Sequence, residues 1–157
     1  LAAATTAPID GRPMYAALRA LPIPDDVVAR CFHAASMLRE HRGDGHIAAL
    51  RVEGVGGLEA HVMLALEVGM RAEEFGRLHH LPRAQVAGVV DGMRARGLVG
   101  ADDHLSAAGV ALKRRIEART DELAAPPYEL LDPDELDELI AALEPLAAVL
   151  LAAPGGP

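Results

Sequence analysis

A single cysteine, Cys31, no tryptophan, two tyrosines and two phenylalanines stand in 157 residues. One thiol excludes an internal disulfide, and with no secretory leader in view the cytoplasm is the expected compartment. So few aromatics leave Ala, Leu and Val to fill the core, which favours packed helices over a β-sandwich. No apolar run approaches the ~20 residues of a membrane-crossing helix, so no membrane partner is expected. Also missing are a Gly-rich phosphate loop, G-x-S-x-G, H-E-x-x-H and paired C-x-x-C, so no reaction or cofactor is announced. The length suits one domain able to bury a core without staples.

Charge of one sign is unevenly spread. The net charge is −8, yet residues 117 to 144 hold ten Asp and Glu against Arg119 alone, a sum of −9, so the rest carries +1. The acidity belongs to the C-terminal helices, and the remainder does not repel nucleic acid.

Residues 1–24 carry Pro8, Pro13, Pro22 and Pro24 around one short helix, Met14 to Leu21. They read as a linker that docks through Met14, Tyr15, Leu18 and Leu21, ahead of a domain spanning 25–157. Asp25 or Asp26 caps a helix to Arg42 with an inward stripe of Val27, Cys31, Ala34, Leu38 and His41. Gly43 then serves as a left-handed stop and Asp44 as the cap of a helix from His46 to Glu53, making HRGDGH a joint between two helices. Leu58 to Val68, containing His61, is apolar on most sides and reads as the central buried helix. Arg71 to His80 is expected as a further helix, with Phe75 and Leu78 inward. Near the end, Asp132, Pro133 and Glu135 are a strong start signal for a last helix bearing Leu136, Leu139, Ile140, Leu143 and Leu146 on one side, with Pro145 expected to kink or interrupt it. That stripe either covers its own core or joins two copies in a homodimer.

From Pro82 to Gly109 the pattern is a helix, a tight β-ribbon and a second helix start. Pro82 suits the first helical position, Gly97 the left-handed stop, and Val86, Val89, Val90 and Met93 form the inward stripe. Leu98-Val99 and His104-Leu105 flank a four-residue turn as two very short strands, and Ser106 caps a helix from Ala107 to about Ala124. Arg96-Gly97-Leu98-Val99, the turn, and Leu105-Ser106-Ala107-Ala108-Gly109 resemble the MarR type of winged-helix regulator. The resemblance implies a mainly α, winged-helix fold with a very short β-hairpin wing and C-terminal helices, and a helix that enters DNA.

That helix is poorly furnished for reading bases. With the valines inward, Ala84, Ala87, Gly88, Asp91 and Ala95 face outward, while Arg83, Gln85 and Arg94 lie on the flanks as the candidate DNA-binding residues. The wing tip is acidic (Asp102, Asp103) where MarR-type wings usually carry an arginine. Small residues at helical spacing suit the approach of another helix or domain.

The densest polar cluster is Glu40-His41-Arg42-Gly43-Asp44-Gly45-His46. As plain structure, it is caps and a joint. As a site, a tight joint would bring His41 and His46 together with Asp44, with His33 two turns back, as candidate metal ligands or the wall of a pocket. Arg39 and Arg42 would then supply cations to a carboxylate or phosphate. HRGDGHIAAL, LEAHV, ARGL, LSAAG and EARTDELAAPP together also resemble a family of high-GC bacterial proteins labelled as helix-turn-helix proteins. That likeness implies that roughly a hundred residues precede Leu1, so that the chain is the C-terminal half of a two-domain protein.

The expected function is therefore a winged-helix module that binds a small ligand or cofactor near Arg39, His41, Arg42, Asp44, His46 and His33, with sequence-specific DNA binding weak or lost. The alternatives are a dimeric, ligand-responsive DNA-binding regulator, and half of a two-domain enzyme using His41 and His46. The expected partners are a small molecule, an N-terminal domain or partner chain, a second copy through the C-terminal helix, and DNA.

Overall fold

The computed structural model describes residues 1–152, so residues 153–157 of the predicted 25–157 unit lie outside the described residues. Two short helices, α1 (Ala2–Thr6) and α2 (Pro13–Arg19), precede a long α3 (Val27–Val52). There follow α4 (Gly57–Glu67), a 3-10 turn (Ala72–Glu74), α5 (Arg83–Ala95), α6 (Ala107–Ala124) and α7 (Pro133–Ala152). No helix among the described residues is long and apolar enough to cross a membrane.

The organising element is α3. Asp26 caps it by accepting from the Ala29 amide at 2.8 Å. It does not stop at Gly43, and HRGDGH lies inside a continuous helix rather than at a joint. The stop comes at Gly54, whose φ of +68° only glycine adopts freely, with the Val55 amide reaching back to the Leu50 carbonyl at 2.9 Å. Glycines inside a helix cost about 1 kcal/mol each against alanine. Here Gly45 lets other groups come close: a Cβ at that position would stand 3.1 Å from both the Arg12 guanidinium and the Leu123 side chain of α6.

Two apolar cores flank α3. The larger joins Ala49 and Leu50 of α3 to Val62 and Met63 of α4, Val86 and Met93 of α5, and Leu112 and Ile116 of α6. The smaller seats α1 and α2 on the other flank, where Ala4, Ala7 and Tyr15 meet Met37. Of the four predicted docking residues, Tyr15 is buried and Leu18 partly so. Met14 and Leu21 remain over half exposed, because the seven-residue α2 presents only one narrow face. Likewise Val27 and Cys31 are exposed rather than inward, since the buried stripe of α3 begins only at Met37.

Three further expectations change. The helix predicted over Arg71 to His80 is a 3-10 turn followed by hydrogen-bonded turns, with the Leu78 and His79 amides both bonding the Phe75 carbonyl. Gly76, a poor helix former in the middle of the segment, favours turns there over a continuous α-helix. The two predicted strands reduce to one antiparallel bridge, Val99 to Leu105, because Ser106 is already committed to capping α6 through the Gly109 amide at 3.1 Å. Pro145 does not interrupt α7, which starts at the predicted capping box, Asp132 with Glu135, and runs to Ala152. No residue of α7 is buried, so its apolar stripe does not cover the chain's own core.

The two glycines of HRGDGH should respond oppositely to alanine. Gly43→Ala meets nothing closer than the Glu40 carboxylate at 3.6 Å, and should raise stability by about 0.5–1 kcal/mol in urea unfolding. Gly45→Ala displaces Arg12 or α6 and should lower it by about 1–3 kcal/mol. Equal effects would contradict the close packing at Gly45.

Candidate functional site

A helix advances about 100° per residue, so six neighbouring residues cannot share one pocket unless the chain turns, and in α3 it does not. Arg39 is exposed and pairs with Glu40. His41 is 1% exposed, set edge-on to the Tyr15 ring at a centroid distance of 5.1 Å. Arg42 reaches Glu117 at 3.1 Å and Asp121 at 3.3 Å on α6. Asp44 accepts from the Tyr15 amide at 3.0 Å, so it caps α2 rather than a helix of its own. His46 leans the other way, its Nδ1 3.0 Å from the Thr120 hydroxyl of α6. His41 and His46 are thus about 140° apart on one rod and do not converge. His33 stands two turns before His41 on the same helix, its Nε2 buried without a partner among the described residues, as is that of His41. Among the described residues no three His, Cys, Asp or Glu side chains gather as metal ligands.

His41, Asp44 and Gly45 of the motif therefore serve a clasp. The Arg12 guanidinium donates to the His41 carbonyl of α3 and, at 2.6 Å, to the Leu123 carbonyl of α6, in the space Gly45 leaves. Burial lowers the Arg12 pKa while Asp44 pulls it back up. Burial, with Arg12 adding to it, drives His41 down to about 4, so the ring is neutral near neutral pH.

Of the predicted ligand-binding residues, His46 lines a cleft of about 190 Å³ between α3, α4 and α6. Leu50, Met63 and Ile116 form its apolar wall, and His61, Arg77, Lys113 and Glu117 join His46 at its edge. Lys113 is occupied by Glu67 at 2.9 Å and Glu117 at 3.5 Å, whereas Arg77 makes no ion pair among the described residues. Burial lowers the His46 pKa against the pull of Glu117, and burial with Arg77 and His46 lowers that of His61. Both rings are held towards the neutral form. Sequence reading passed over His61, Arg77 and Thr120, because no spacing links residues drawn from three separate segments. Another hollow, about 230 Å³, lies between Met70, Val90 and the turn at Asp102 to His104, but no such pair of desolvated rings faces it.

The remaining candidate surface is α5. Val86 and Met93 are buried, Val89 and Val90 half-buried, and Ala84, Ala87, Gly88, Asp91 and Ala95 exposed, as the stripe implied. Arg83 and Gln85 are exposed on its first turn. Arg94 differs: its guanidinium is held by Asp91 at 2.5 Å and by Asp103 of the turn at 2.6 Å. Asp103 sits at a φ of +59°, which places its carboxylate across from α5. One cation thus ties α5 to the turn beside it.

Comparison with known proteins finds one match over the whole chain: residues 1–157 fit a family described as the helix-turn-helix family. No curated protein and no solved structure matches.

The buried His41 fixes a pH response. Its folded pKa of about 4 lies below the ordinary 6.5, so as pH falls through that window the unfolded chain takes a proton that the folded chain refuses. Stability present above pH 6.5 is therefore lost towards pH 4, by roughly 3 kcal/mol at most from this ring. Urea unfolding across that range should show the slope, and His41→Phe should reduce it; an unchanged slope in the variant would rule out the buried neutral ring.

Proposed function

Since the chain belongs to the helix-turn-helix family along its entire length, we propose that it is a MarR-like winged-helix module of the DNA-binding type in which sequence-specific readout is weak or lost. The bridge from Val99 to Leu105 and the capped α6 serve as a minimal wing. The observation that carries the reading is the capture of Arg94 between Asp91 and Asp103, which removes one of the three side chains placed to meet DNA. Arg83 and Gln85 remain on the first turn of α5, enough for phosphate contact, while the exposed centre of the helix offers methyl groups and one carboxylate. The same small-residue face accepts a neighbouring protein domain more readily than a major groove. The ligand of this module sits at the cleft beside His46, where a residue of HRGDGH meets a cavity. An acid–base site shared by His41 and His46 has no support from two rings on different sides of α3.

A second reading, the dimeric regulator, draws support from α7. Leu139, Ile140, Leu143 and Leu146 stay 36–56% exposed along one side of a 20-residue helix. Such a stripe on an acidic helix suits pairing with a second copy.

Fluorescence anisotropy should find a GC-rich duplex and its scrambled counterpart bound within about threefold of each other, with Arg83→Ala weakening both. Freeing Arg94 by Asp91→Asn with Asp103→Asn should steepen the salt dependence by about one phosphate contact. A preference of roughly a thousandfold for one duplex in the unaltered protein would overturn this reading. Sedimentation should show a dimer that Leu139→Glu with Leu143→Glu converts to monomer; a wild-type monomer at all concentrations would rule out the α7 pairing.

A further inference from the structure

The proton bookkeeping around His46 leaves one choice. The Ile116 carbonyl, which can only accept, lies 2.7 Å from the Thr120 hydroxyl, so Thr120 spends its one proton there. Its oxygen then has only lone pairs to offer His46 Nδ1 at 3.0 Å, so Nδ1 carries the imidazole proton. A ring held in the neutral form and protonated at Nδ1 has a bare lone pair at Nε2. No protein donor among the described residues bonds Nε2, which lies across the ring from the nitrogen that meets Thr120, and His46 lines the cleft. The chain Ile116 carbonyl, Thr120 hydroxyl, imidazole ends in an acceptor at the edge of an apolar wall formed by Leu50, Met63 and Ile116.

We propose that this cleft selects a small, largely apolar molecule carrying a hydroxyl group, which donates its hydrogen bond to Nε2 of His46 while its hydrocarbon body lies against Leu50, Met63 and Ile116. The volume, about 190 Å³, admits such a body; apolar cavities of about 150 Å³ in other proteins take a benzene ring. Thr120 is a positioning residue: it touches no ligand and fixes which nitrogen is the acceptor. This inference rests on the ligand reading above and adds the chemical class.

The test uses cyclohexanol against methoxycyclohexane, which has nearly the same body and no donor. In long-range ¹H–¹⁵N spectra of the protein alone, His46 should appear as the Nδ1-protonated tautomer. Cyclohexanol should shift the Met63 and Ile116 methyl signals and bind about tenfold tighter than the ether, the worth of one good hydrogen bond. Thr120→Val should bring that ratio near one, and Thr120→Ser should retain it. If both compounds bind equally, the cleft is a ligand site but the donor rule is wrong. If neither moves the methyl signals, the ligand reading itself fails. An Nε2-protonated His46 overturns the proposal without any ligand, and does so even if the Thr120→Val protein does not fold.

Discussion

A guanidinium withdrawn from water must find acceptors, and the seat of Arg12 between α3 and α6 is the constraint on which much of this structure depends. Its donors meet carbonyls on both helices, where neutral oxygens take the place of an ion-pair partner, and Asp44 stands close enough to favour its charge. Gly45 is the condition for that seat, and the Asp44 cap on the Tyr15 amide holds α2 so that Arg12, one residue before it, is correctly placed. The packing of Tyr15 on His41 then shuts water away from the ring. A segment that reads as punctuation is thus a socket cut into the side of a helix.

Much of the fold was legible because its signals are local. The Ser106 cap, the Gly97 stop and the Asp132 capping box depend on neighbours within a few residues, and each stands where the sequence puts it. The inward stripe of α5 followed from periodicity alone. HRGDGH misled because Gly and Asp carry the same local preferences whether they end a helix or serve a partner far along the chain. The partners that decide the matter, Arg12 and Leu123, lie outside any local window. The cleft was hidden for the same reason: His46 was visible as a candidate, but the threonine that sets its tautomer is 74 residues away.

The presented helix illustrates how fold and function separate. The element is in place, its apolar side is buried, and the turn carrying Asp103 stands beside it. What differs is the disposition of charge. Binding to phosphates draws on cations that are free to exchange counterions for DNA, and a guanidinium already gripped by two carboxylates has made that exchange internally. The ion pair is partly exposed and adds little to stability, so its main effect is on what the surface can attract.

The reach of Arg12 also sets an order of assembly. Its acceptor at Leu123 lies 111 residues downstream, so a chain emerging from the ribosome cannot complete this contact until α6 has been made. Until then α1 and α2 rest on α3 without this tie to α6. The contact closes a loop of that whole separation, a long-range link of the kind that carries a large closure entropy.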